Sequence, residues 1–310
     1  MFGPYCHEFM HPIGRAAYQK ISTNGIFDVP VNTAICSSGF YHGLVEAMLA
    51  HGFDKNESKK LCDSVARQLH NQGVSAVGSC YHGLGHGFAE NYIVQSDPDI
   101  PQLLTKSISL CHDIVSDPFL TENCYAGVFN VISTYFIEHP GTHWFVVNEP
   151  FGLCLLRKES YKACYAYMVL VLLQRNGGDF IKTATILDSL SDKEQDPVVQ
   201  ALSYKRAVER VGSGDIENDS RWCDIFPGKF WSMCIAGYIQ GLVGYGKPGG
   251  EHIQVIRFCT SKPFSDEEKK ACLGEGIHVL SMVHPVSYMQ SVCESLGRKF
   301  LPLCHDMNIL

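Results

Sequence analysis

No stretch of this sequence is apolar for long enough to cross a bilayer. The longest run, roughly Ala163 to Leu173, falls short of the about 20 residues that a spanning helix needs. Lysine and arginine nowhere cluster, and a net charge of −7 offers no basic face of the kind that phosphate binding requires. Nucleic acid is therefore not an expected partner. Close cysteine pairs are missing as well: no two of the 14 cysteines lie nearer than ten residues, whereas zinc ribbons, zinc fingers and thioredoxin-like sites are built on C-x-x-C spacings. A signal peptide is not visible either, because Met1-Phe2-Gly3-Pro4-Tyr5 runs straight into the patterned Cys6-His7-Glu8. Strand signal is confined to Trp144-Phe145-Val146-Val147, with nothing periodic enough to make a sheet.

What is present is a chain of 310 residues, 45% hydrophobic and 18% charged, able to bury a full core. Its even number of cysteines alternates short and long gaps. The short gaps pair Cys62 with Cys80, Cys111 with Cys124, Cys154 with Cys164, Cys223 with Cys234, Cys259 with Cys272 and Cys293 with Cys304. Cys6 and Cys36 remain as a seventh pair. One staple per structural unit implies an oxidising compartment, so the expectation is an extracytoplasmic protein, secreted or periplasmic, whose targeting segment has gone. Each short loop contributes about 2–4 kcal/mol in the chain-entropy picture.

The second cysteine of each pair opens a recurring phrase. Cys36-Ser-Ser-Gly39-Phe-Tyr-His42-Gly43 is followed by Cys80-Tyr-His82-Gly83-Leu-Gly85-His86-Gly87 and Cys124-Tyr-Ala-Gly127-Val-Phe-Asn130, each starting 44 positions after the last. Cys234-Ile-Ala-Gly237-Tyr-Ile-Gln240-Gly241 repeats it, and degenerate copies begin at Cys164 and Cys272. A period near 40 residues is the mark of stacked helical hairpins. The predicted fold is all-α: helical-hairpin repeats in an α/α solenoid or toroid, with an outer helix, a disulfide-closed loop and an inner helix per repeat. Asp99–Val115, Glu251–Thr260 and Pro285–Leu296 read as outer helices. Ser191–Val211 reads as a cysteine-free repeat helix with Asp196-Pro197 as its cap, and 212–221 and 245–250 as exposed connections. We expect one domain over 1–310, with metal-binding repeats at 6–130 and structural repeats at 131–310. The crowded glycines read as sites of close helix approach.

At about 100° per residue, the second, sixth and tenth positions after the motif cysteine share one helical stripe. That stripe carries His42 and Glu46 in one repeat and His82, His86 and Glu90 in the next. Imidazoles and carboxylates four apart on adjacent helices are how helical proteins assemble transition-metal sites. Further ligands are expected from His7 and His11, placed on a loop ahead of a helix that starts at Pro12. Read literally, His7-Glu8-Phe9-Met10-His11 with Gly14 opens a metzincin-type signature. The protease reading is set aside because Ala17 fills the next ligand slot. The other histidines, His70 among them, are read as ordinary core or surface residues, apart from His278, which repeats the sixth position after the motif cysteine in a distant copy and is left open between the two roles.

These phrases resemble a group of uncharacterised secreted prokaryotic proteins with repeated C-x-x-G-x-x-H-G motifs, over residues 6 to 130. That resemblance implies no particular activity. A looser similarity is to lanthionine-synthetase C-like proteins, helical toroids around zinc, although those use cysteine thiolates where Cys80 here belongs to a disulfide pair. The function expected is that of a metal-binding helical-repeat protein using zinc, copper or iron. As an enzyme it would activate water or oxygen for a small-molecule or peptide substrate, beside a pocket lined by Phe40, Tyr41 and Tyr81. The competing expectation is a metal-free scaffold that binds protein or peptide.

Overall fold

A computed structural model describes residues 6–24, 33, 36, 39–52, 55–69, 75–93, 98–297 and 299–306. Met1–Tyr5, on which part of the leader reading rests, and His70 lie outside them. The described residues form fourteen α-helices and no strand. They are α1 (Cys6–Asn24), α2 (Gly39–Ala50), α3 (Lys55–Gln68), α4 (Ser75–Ile93), α5 (Ile100–Ile114), α6 (Pro118–Glu138) and α7 (Tyr161–Arg175), then α8 (Phe180–Ala184), α9 (Asp192–Ser213), α10 (Trp231–Tyr245), α11 (Glu251–Cys259), α12 (Asp266–Val283), α13 (Val286–Ser295) and α14 (Pro302–Asp306). None is long and apolar enough to cross a membrane.

Local chemistry sets the boundaries. Asp99 caps α5 by accepting the amide of Gln102, and Asp117 caps α6 by accepting that of Leu120, each with proline in the first turn. Ser265 and Glu268 form a capping box at α12. Ser191 and Glu194 do the same for α9, so that helix starts ahead of Asp196-Pro197 and carries Pro197 inside it. The segment 212–221 is not wholly exposed as expected. Asp219 is buried, held by Arg206 at 2.6–2.7 Å and by Arg210 at 3.2 Å.

All seven disulfides are present and no cysteine is free. Such a set suggests an oxidising compartment. Three of them join an outer helix to an inner one: α3 to α4, α5 to α6 and α11 to α12. At Cys154 and Cys223 the outer helix has shrunk to a single 3-10 turn. The inner helices α1, α2, α4, α6, α7, α9, α10 and α12 pack side by side in that order. Buried residues form one contiguous core from Tyr18 to Cys304. The row curls back on itself, so that Tyr245 at the end of α10 stacks on His7 at the start of α1, ring centres 6.5 Å apart.

The motif glycines set the helix spacing. A methyl group on Gly43 would overlap the carbonyl oxygen of His11, one on Gly85 that of Cys124, one on Gly127 that of His82, and one on Gly237 that of Gln200. Neighbouring inner helices therefore touch backbone to backbone, as small residues permit. Gly39 meets His7 and Gly43 meets His11, while Gly83 meets Tyr41 and Gly87 meets Val45 and Leu49. These ascending matches mean that α1, α2 and α4 run in the same direction. The glycines of the second repeat sit in the middle of α4, five residues of helix preceding Cys80, rather than at its opening.

One expectation fails here. His7 and His11 are not on a loop, because α1 runs from Cys6 straight through Pro12. Proline costs a helix the hydrogen bond to the carbonyl four residues back. In α1 that carbonyl belongs to Glu8, and both Glu8 and Pro12 lie on the exposed side, open to water. His7 and His11 thus share one helical face, one turn apart.

Candidate metal centre

Parallel α1, α2 and α4 bring five histidines together. His42, on the central helix, is the hub: its ring centre lies 4.9 Å from that of His7, 5.3 Å from His11, 4.8 Å from His82 and 4.6 Å from His86. Only 1% of His42 is exposed, and neither of its ring nitrogens has a hydrogen-bond partner. A buried polar atom without a partner costs about 1–3 kcal/mol, and native structures hold few of them.

The two α1 histidines sharpen the point. His7 Nδ1 faces the carbonyl oxygen of Cys36 at 3.1 Å, and His11 Nδ1 faces Glu46 Oε1 at 3.2 Å. Both partners can only accept, so both Nδ1 atoms carry the hydrogen. The two Nε2 atoms face one another at 3.1 Å, where either ring can donate only by carrying a second hydrogen. A shared proton or a metal cation between the two nitrogens satisfies both. Two imidazoles on one ion, bound at about 2.0–2.1 Å, hold their nitrogens about 3 Å apart. Anchoring the distal nitrogen on a carbonyl or carboxylate is also how metal-bound histidines are oriented. Ligand atoms of His7, His11 and His42 all lie within 4.8 Å of one another.

Glu46 spans the cluster. Its Oε1 is 3.2 Å from His11 Nδ1 and 3.6 Å from His86 Nδ1, while Arg15 donates to Oε2 at 3.1 Å. Burial would raise its carboxyl, yet contact with His11, followed by His86 and Arg15, holds it below the usual carboxylate value. Glu90 Oε1 approaches the same His86 Nδ1 at 3.2 Å. Asn130, the asparagine that replaces histidine in the third repeat, donates its amide to His82 Nε2 at 3.5 Å. His278, which repeats the stripe position in a distant copy, is exposed on α12 and takes no part.

Burial, with the neighbouring imidazoles adding to it, pushes His82 down to about 3 and takes His42 well below its ordinary 6.5. Both rings are therefore neutral, the form that binds metal. The sign of the linkage is that of a base with a depressed folded-state pKa. The unfolded chain takes up protons below about pH 6.5 that the folded chain refuses, so stability is present above that pH and is lost as pH falls toward 3. For the metal-free protein we expect urea stability to drop between pH 6.5 and pH 5, by about 1.5 kcal/mol from His82, with His42 acting in the same direction. Equal stability at the two pH values would contradict these assignments.

A cavity of about 280 Å³ opens beside the cluster, bordered by His7, His42 and His82. Its far wall is made by Tyr167, Tyr204 and Tyr245 from α7, α9 and α10. Tyr167 and Tyr204 also border a neighbouring cavity of about 600 Å³. The aromatics expected here, Phe40, Tyr41 and Tyr81, lie elsewhere. All three are buried in the core, with the Tyr41 hydroxyl against Thr33 and the Tyr81 hydroxyl bonded to Asp63. The reason is helical phase: Phe40 and Tyr41, four and five positions after Cys36, and Tyr81, one after Cys80, fall off the histidine stripe, on the packing side. Of the three cavity tyrosines only Tyr167 belongs to a repeat phrase, three positions after Cys164 where the full copies of the motif have glycine, while Tyr204 sits on the cysteine-free helix and Tyr245 at a helix end.

Comparison of the chain with protein-family models, with curated proteins and with solved structures finds no match in any of the three.

Proposed function

We propose that the histidine cluster is a transition-metal centre and that the protein is a metal-dependent enzyme of an extracytoplasmic compartment, with zinc, copper or iron as the ion. The observation that carries this reading is His42, buried with neither ring nitrogen hydrogen-bonded and with a ligand atom within 4.8 Å of those of both His7 and His11. A proton shared between the facing Nε2 atoms of His7 and His11 would leave His42 stranded. One ion relieves all three. His7, His11 and His42 would hold it, with His82 and His86 flanking and Glu46 and Glu90 fixing the rings. When bound, such an ion supplies Lewis acidity and an activated water or oxygen.

The adjoining cavities favour an enzyme over a simple metal carrier, because a carrier closes its shell whereas His7, His42 and His82 border open space. Tyr167, Tyr204 and Tyr245 would orient a small-molecule or peptide substrate and restrict water at the open side. A metal-free scaffold leaves the unpartnered nitrogens of His42 unexplained. The test is elemental analysis of protein purified without chelator, paired with a thiol count in denaturant. At least one equivalent of transition metal in the wild type, clearly less in His7→Ala, and no free thiol are expected. Less than about 0.3 equivalents, unchanged in the variant, rejects the site.

A further inference from the structure

We infer that the cluster is two metal sites of different chemistry, not one, with Glu46 and His11 forming the link between them; this rests on the metal reading proposed above. The ligand atoms divide by distance into two groups, His7 with His11 and His42, and Glu46 with His86 and Glu90, each lying within 4.8 Å internally. A single ion cannot take both sets. His11 uses Nε2 toward His7 and has Nδ1 turned to Glu46, so Glu46 Oε1 lies on the far side of the His11 ring from the first site. That oxygen faces His86 Nδ1 instead, 3.6 Å away, with Glu90 Oε1 at 3.2 Å from the same nitrogen.

The second group has its own sign of a missing cation. His86 Nδ1 is inaccessible to solvent and makes no hydrogen bond, although two carboxylates converge on it. Arg15 occupies only the other oxygen of Glu46. Access differs too. The all-histidine group borders the internal cavity, whereas His86 and Glu90 line a separate one of about 230 Å³ together with Tyr135, Glu138 and His139. Three imidazoles suit zinc, copper or iron. Two carboxylates with one imidazole make a harder donor set, which accepts manganese as well. The chain would thus hold one ion facing the chamber and a second at an outer opening, connected through the imidazole of His11 and the carboxylate of Glu46.

The test uses the oxidised full chain, stripped with chelator and titrated separately with zinc(II) and manganese(II) salts. Bound metal is read by mass spectrometry and folding by circular dichroism. Two equivalents of zinc are expected in the wild type, falling to one in Glu90→Gln and to one in His7→Ala. Manganese should fill one site, lost in Glu90→Gln and kept in His7→Ala. Glu90 is 42% exposed at its side chain, so its conservative replacement leaves the core intact. A wild type that binds a single zinc, or a Glu90→Gln variant that still binds two, overturns the second site while leaving the metal reading in place. No zinc in the wild type removes both.

Discussion

His42→Leu is expected to abolish the rise in melting temperature that zinc or copper gives the wild-type protein, without destabilising the metal-free chain. Metal that binds only the folded state adds about 2.7 kcal/mol when its free concentration is 100 times the dissociation constant. In a protein of this size that is a shift of several degrees. His42 is the one ring in contact with all four other histidines, and both its nitrogens are buried without partners. Leucine keeps most of the volume and removes the two unsatisfied atoms, whose burial costs about 1–3 kcal/mol each. The metal-free variant should therefore melt at or above the wild-type temperature, and added metal should leave it unmoved. A residue that mattered only for packing would behave oppositely, losing stability and keeping any metal response. Melting curves with and without metal separate the two.

Gly127→Ala is expected to have the largest effect on stability from the smallest change in volume. Alanine is ordinarily better than glycine inside a helix by about 1 kcal/mol. Here its methyl group would overlap the carbonyl oxygen of His82 and lie 2.8 Å from the amide nitrogen of His86. Both are main-chain atoms of α4 and neither can turn aside. The helices must separate, which costs about 1–3 kcal/mol or more when a core is overpacked. Separation would also carry His82 away from Asn130, so the damage reaches the histidine cluster. Gly141→Ala is the control: nothing lies within 4 Å of that position, and its effect should stay within about 0.5 kcal/mol. Equal melting temperatures for the two variants would mean that the helix contacts are looser than described.

Much of this was legible because the repeat is written in residues with few alternative uses. The cysteine gaps name their partners once an outer-to-inner staple is assumed, and the structure joins the same seven pairs. The stripe arithmetic places His42, His82, His86, Glu46 and Glu90 together because parallel neighbours keep register, which the glycine contacts enforce. Pro12 misled the reading of α1, since a proline penalty depends on whether the freed carbonyl can reach water, and a sequence does not say which side faces out. The 3-10 turns at Cys154 and Cys223 were hidden for a related reason: a disulfide can brace an inner helix from a single turn as well as from a full helix. The cavity tyrosines escaped because the approach of Tyr245 to His7 depends on the sum of many small rotations between successive helices.

X-ray absorption at the metal edge of the protein, loaded with one equivalent of zinc in its oxidised form, tests the central claim most directly. A histidine centre predicts a first shell of nitrogen at about 2.0–2.1 Å, with the outer scattering of several imidazole rings and no sulfur. Zinc–sulfur distances near 2.3 Å, or a shell of oxygen alone without imidazole scattering, would place the ion elsewhere and leave the five histidines without a metal to hold.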